Sequence, residues 1–287
     1  MSDARTDLRR GYGGGDNGGM PTPAPAVPSR DDLMAHLDRA LITGLVATPR
    51  ENNRAHYRAL ADGERYYWLG LELGTRWTDE RRVLALMAER CGVHPDPDRL
   101  TGQDTISAAL CVDALERVAD VLRKAVAQHQ RVLFATGHPA GMLPVYQDLA
   151  RSLEAAGCEV ALPPGGIRLA GNQDIRRIGH VAVLQERGHL PHTHAVEPMR
   201  ALLDRLETDP AAGGLPDLVI ADHGWAGHAA SRVIPTVGFA DCNDPALFVG
   251  EAEGSLLVAV PLDDDVEPHL YEPLTAYLLH AAGLPRA

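Results

Sequence analysis

Residues 131–162 read RVLFATGHPAGMLPVYQDLARSLEAAGCEVAL. Arg131 to Thr136 is a short apolar run rich in strand-forming side chains, and the turn Gly137-His138-Pro139-Ala140-Gly141 bounds it, so it reads as a buried strand. Leu143, Tyr146, Leu149 and Leu153 then recur at helical spacing until Gly157 closes the helix. Cys158 to Leu162 returns as a second strand. A strand, a helix and a strand in this length form a βαβ unit, which lays its strands parallel.

The alternation continues more loosely toward the C-terminus. Strands are expected over 180–184, 217–221, 236–240 and 255–260, with helices over 196–206, 226–232 and 271–282. This pattern predicts an α/β fold: a mainly parallel three-layer α/β/α sheet over residues 131–287, Rossmann-like in its layering. Upstream, Ser29 is placed to cap a helix carrying Leu33, Leu37 and Leu41 at four-residue spacing. Val83, Leu84 and Met87, then Ala114, Leu115, Val118 and Leu122, mark two further amphipathic helices. Residues 29–130 are therefore expected as a helical N-terminal subdomain, and the Gly/Pro-rich residues 1–28 as a disordered tail.

The 287-residue chain has a formal net charge of −12, which argues against nucleic acid and against anionic membrane surfaces as partners. Lys124 is the only lysine, so the basic charge is almost all arginine. Cys91, Cys111, Cys158 and Cys242 form no CxxC pair, no secretory signal is visible, and no apolar run reaches membrane-spanning length. The expectation is a soluble cytoplasmic protein with reduced thiols; homo-oligomer formation is left open.

Chemistry in an open α/β sheet collects beyond the carboxyl ends of the strands. Asp222-His223-Gly224 and Asp241-Cys242-Asn243-Asp244 each follow an expected strand directly. Asp222, Asp241, Asn243 and Asp244 offer hard oxygen ligands for one or two divalent metals, Mg²⁺ or Mn²⁺ ahead of Zn²⁺ or Co²⁺. Helix capping and an Asx turn account for some of these residues, but there are more polar groups than one cap needs. The Thr136-to-Gly141 turn joins strand to helix, so Thr136, Gly137 and Gly141 are candidates to seat an anion, with His138 beside it. That turn has neither the dinucleotide fingerprint nor a P-loop ending.

Arg50, Asn52 and Asn53 form a second candidate group for binding phosphate or substrate hydroxyls. His192 and His194 share a face if the segment is extended, a ligand-like spacing, but nearby prolines suggest an irregular loop. Asp263-Asp264-Asp265 reads as a solvated turn, and Arg168, Arg176 and Arg177 are alternative anion clamps.

Five segments carry a family resemblance: Thr48-Pro-Arg-Glu-Asn-Asn53, Tyr67-Trp-Leu-Gly-Leu-Glu-Leu-Gly74, Phe134-Ala-Thr-Gly-His-Pro139, Ala221-Asp-His-Gly-Trp-Ala-Gly227 and Phe239-Ala-Asp-Cys-Asn-Asp-Pro-Ala-Leu247. They resemble an actinobacterial family known simply as phosphatases, over about Ser29 to Leu284. The resemblance implies the reaction class; the site comes from the residues. Together they give a metal-assisted hydrolase of a small-molecule phosphate ester, with His138, Asp222, His223 and Asp241 as catalytic candidates. Rival readings are a metal-dependent lyase or isomerase of a phosphorylated or carboxylated metabolite, and a non-catalytic ligand-binding protein.

Overall fold

The computed structural model describes residues 27–163 and 165–287. The tail expected over residues 1–28 lies almost wholly outside the described residues. The N-terminal helical region comprises α1 (Arg30–Arg39), β1 (Gly44–Pro49), α2 (Arg50–Ala61), α3 (Glu80–Arg90), β2 (Gln103–Ile106) and α4 (Ala108–Ala127). Ser29 caps α1, its hydroxyl accepting from Asp32 N at 3.2 Å. Helical periodicity alone missed β1 and β2, which pair antiparallel. Each is short, and the partners lie more than fifty residues apart, so no local pattern announces them.

The sheet region runs β3 (Arg131–Thr136), α5 (Pro139–Ala155), β4 (Glu159–Val160), β5 (Ile167–Arg168), β6 (Gln173–Ile178), β7 (Val181–Glu186), α6 (Glu197–Thr208), β8 (Leu218–Asp222), α7 (His223–Ser231), β9 (Thr236–Ala240), α8 (Pro245–Ala252), β10 (Val258–Pro261) and α9 (Glu272–Ala281). Its order is β10-β9-β8-β3-β7-β6-β5, with β4 beside the first half of β3. The expected mainly parallel sheet is in fact mixed. Strands β10 to β7 pair parallel, but β7, β6 and β5 form an antiparallel ribbon. The tight Gly179-His180 connection explains it: two residues can close a hairpin but cannot make a parallel crossover.

Strand residues alternate between two cores. Leu133, Ala135, Val219 and Ala221 face one cluster, packed by α2, α3, α6, α7 and α8. Val132, Phe134, Leu218 and Ile220 face the other, packed by α1, α4, α5 and α9. The sheet is thus flanked by helices on both faces, and the N-terminal region supplies helices to each. No helix of the described residues is long and apolar enough to cross a membrane.

From β3 the chain moves to β7 on one side, then returns to β8 on the other. The loops leaving β3 and β8 therefore diverge, opening a crevice at their carboxyl ends, the place where open α/β sheets bind ligands.

Candidate active site

Thr136 ends β3 and Asp222 ends β8, and the two strands are hydrogen-bonded neighbours. Thr136 Oγ1 donates to Asp222 Oδ2 at 2.6 Å, and Gly137 N donates to Asp222 Oδ1 at 2.6 Å. His138 N in turn donates to Thr136 Oγ1 at 2.9 Å. The donors expected to seat an anion are thus engaged within the protein, and they fix a carboxylate instead. Gly141 is likewise turned inward: a Cβ there would overlap the Asp264 carbonyl oxygen.

Asp222 Oδ1 also accepts from His223 Nδ1 at 3.1 Å, so both its oxygens are occupied. The Asp222 carboxylate, expected from sequence as a metal ligand, is turned toward the β3 turn and the His223 ring. His223 is a non-glycine residue at φ +47°, a conformation that the tight β8–α7 turn imposes and that the Asp222 contact helps to hold. Its Nε2 faces a cavity of about 260 Å³ lined by Thr48, Asn52, His138, His192, His194 and a set of aspartates.

Nε2 of His223 lies 3.1 Å from His192 Nε2, 3.2 Å from Asp244 Oδ2 and 3.5 Å from Asp264 Oδ2. His192, His194 and His223 bring ligand atoms within 4.8 Å of one another, a group able to hold a metal ion. Asp244 Oδ1 lies 3.5 Å from His194 Nδ1. On the other wall, Asp264 Oδ1 is 3.2 Å from His138 Nδ1, while Asp265 Oδ1 is 3.3 Å from His138 Nε2. Asp244 Oδ2, Asp264 Oδ2 and His138 Nδ1 are buried without an aligned hydrogen bond. Asp241 accepts from Thr48 Oγ1 at 2.5 Å and from Cys242 N at 2.6 Å.

Electrostatics divide the histidines. Burial alone would lower His223, but Asp244, Asp264 and Asp222 outweigh it and hold the imidazole up to about 10. His138 is raised in the same way, Asp264 overcoming burial. Burial, reinforced by the His223 charge, lowers His192 to about 4 and His194 to about 2. Burial would raise Asp264, yet His223 and His138 hold it down at about 2. Asp244 is pushed up to about 6 by burial, against the His223 charge. Asp241 is held well above the carboxylate range by burial and then by Asp263 and Asp264.

The remaining sequence candidates separate cleanly. Asn52 and Asn243 line the cavity. Arg50 and Asn53 do not: Arg50 is fully buried against Asp104 at 2.8 Å, and Asn53 donates to the same carboxylate at 3.0 Å. Arg168 pairs with Asp174 and Arg176 with Gln185, and neither lines the cavity. His192, His194 and the Asp263–Asp265 turn, left outside the expected core of the site, stand in its walls.

Fold and site together define an α/β enzyme with a buried imidazole–carboxylate centre at the topological switch point of its sheet. The family model for phosphatases, described simply as "Phosphatase", matches residues 28–286. Phosphatase SCO2771 of Streptomyces coelicolor is 56% identical over 263 residues, covering 91% of this chain and 99% of that protein. The chain belongs to this phosphatase family, and its class is that of a hydrolase.

Proposed function

We propose that this protein is a metal-assisted phosphomonoester hydrolase acting on a small metabolite. The observation that carries the reading is the His192, His194 and His223 group at the switch point, flanked by Asp244 and Asp264. A phosphate monoester arrives with negative charge, yet the described residues lining the cavity include several aspartates and neither arginine nor lysine. Countercharge has to come from a bound cation.

The donor set fits a cation. His192 and His194 are neutral at physiological pH, the form that ligates. Asp244 Oδ2 and Asp264 Oδ2 lie unpartnered beside His223 Nε2. Mixed imidazole and carboxylate donors suit Mn²⁺, Zn²⁺ or Co²⁺ ahead of Mg²⁺, which shifts the preference drawn from the Asp/Asn loops alone. A divalent cation bound there supplies charge neutralisation for the phosphoryl oxygens and activates water.

The chain's own residues do the rest. Asp222, braced by Thr136 and Gly137, fixes the His223 ring with Nδ1–H toward itself and Nε2 toward the cavity. Asn52 and Asn243 are neutral side chains at the cavity wall, placed to hold phosphoryl or ester oxygens. Asp241, whose carboxyl burial holds above the ordinary carboxylate range, lines the cavity as the group to donate a proton to the leaving oxygen as the P–O bond breaks. The proton lost by the attacking water restores Asp241.

Full-length protein stripped of metal by chelation and resupplied with Mn²⁺, Zn²⁺, Co²⁺ or Mg²⁺ is expected to release inorganic phosphate from a broad phosphomonoester panel. Absence of release with all four ions sinks the reading. Asp222→Asn is expected to weaken metal binding by roughly 10–100-fold, as loss of an orienting carboxylate does, with the circular dichroism spectrum unchanged.

A further inference from the structure

We propose that the site holds two cations, bridged by the Asp264 carboxylate; this rests on the reading that the histidine group binds metal. The two oxygens of Asp264 serve different imidazoles. Oδ1 lies 3.2 Å from His138 Nδ1, and Oδ2 lies 3.5 Å from His223 Nε2. Ligand atoms around one ion, each about 2.0–2.2 Å from it, sit roughly 3–3.5 Å apart. His192 Nε2 and Asp244 Oδ2, at 3.1 and 3.2 Å from His223 Nε2, complete that spacing for the first ion. His138 Nδ1 and Asp264 Oδ1 have it for the second.

The second position does not rest on carboxylates alone. His138 is only 3% exposed, it lines the cavity, and its Nδ1 has no aligned hydrogen-bond partner. Its other nitrogen, Nε2, faces Asp265 Oδ1 at 3.3 Å. The first ion's ligand is built the same way, with His223 Nδ1 on Asp222 Oδ1 and Nε2 toward the cavity, 3.1 Å from His192 Nε2. A ligating histidine characteristically gives its second N–H to a carboxylate, which fixes the tautomer and aims the ring. The site repeats that device twice, from the ends of β3 and β8, with one carboxylate between the two inward-facing nitrogens. His138 and His223 have ring centroids 5.9 Å apart, on the scale of ions about 3.5–4 Å apart that share a phosphoryl group. Asp263 lines the wall beyond as a further oxygen donor.

The test uses the full chain, stripped of metal and titrated with Mn²⁺ alone. Metal content by mass spectrometry is expected to reach two ions per chain, and the electron paramagnetic resonance spectrum to show a spin-coupled pair. His138→Ala should drop the content to one ion with an uncoupled six-line spectrum, and Asp264→Asn should abolish the coupling. Asp265→Asn, at an exposed position, should weaken the second ion roughly 10–100-fold while leaving the first. This variant covers the case in which His138→Ala fails to fold. One ion per chain in the wild type overturns the second position and leaves the first reading standing; no bound ion overturns both. Two ions retained in a folded His138→Ala, or two ions with unweakened affinity in Asp265→Asn, overturn the assigned ligands.

Discussion

Arg50 and His223 are both almost fully buried, and their environments give them opposite roles. The Arg50 guanidinium meets Asp104 on β2 through Nη1, with Arg99 O accepting from Nε and Asp96 O from Nη2. Arg50→Ala strands the Asp104 charge in the interior, so the expected loss is about 3–5 kcal/mol of stability. A thermal melt should show that loss, while KM of the folded fraction stays at the wild-type value. Nothing near Arg50 in sequence reveals this, because its partner lies 54 residues away on a strand the periodicity does not show. His223 differs because Asp222, which contacts its Nδ1, is adjacent in sequence, and both stand among the candidates read from the strand end. Its pH signature follows. A folded value of about 10 against an ordinary 6.5 means the metal-free protein has the full stabilisation below pH 6.5. That stabilisation declines as pH rises through 6.5 to about 10. Melting temperatures of the metal-free chain should fall across this window. Mn²⁺ should reduce the fall, because it replaces the proton on Nε2.

At the scale of elements, the turns after β3 and β8 work as docking points for other loops. A Cβ at Gly137 would overlap Thr193 O, one at Gly224 would overlap His194 O, and one at Gly141 would overlap Asp264 O. Each glycine thus lets a backbone carrying site residues approach closely. Gly141→Ala is expected to push the Asp263–Asp265 turn outward, lowering phosphatase activity at least 10-fold while the fold survives. Activity and a melt on the same sample check this, and full activity in Gly141→Ala counts against the docking role. These glycines were visible in the sequence as turn formers, but their neighbours were not. His192 and His194 sit in a loop without periodicity, brought in by a backbone hydrogen bond from Thr193 N to Gly137 O at 2.8 Å. The Asp263–Asp265 turn is the instructive miss. It follows β10 as Asp241 follows β9, and the strand-end rule applied to it equally. Three consecutive aspartates look solvated in a sequence, yet Asp263 and Asp264 are buried because β1 and α5 close over them.

For the molecule as a whole, the alternating β and α runs were enough to give the layered sheet and to set three polar loops, those after β3, β8 and β9, at strand ends. The mixed edge β5–β6–β7 and the β1–β2 ribbon were hidden, because pairing partners and hairpin direction depend on turns rather than on apolar spacing. The site is correspondingly dispersed. Thr48, His138, His192, His223, Asp241 and Asp264 come from six separate segments, five of them around the carboxyl ends of β3, β7, β8, β9 and β10. An ion seated among them would act as a clasp across five strands. Amide hydrogen exchange in β3 and β8 should slow when Mn²⁺ is added and return to the metal-free rate on chelation; unchanged protection would mean the ion holds only its own loops.

The left-handed backbone at His223 restricts which residues can replace it. A β-branched or bulky replacement would meet the backbone penalty before it met any loss of chemistry, so the position is closed twice over. Asparagine or glycine would fit the turn and forfeit the imidazole. Sequences drifting from this one would therefore find few tolerated exits at residue 223, and an Asn or Gly there would mark a chain that keeps the architecture without the imidazole.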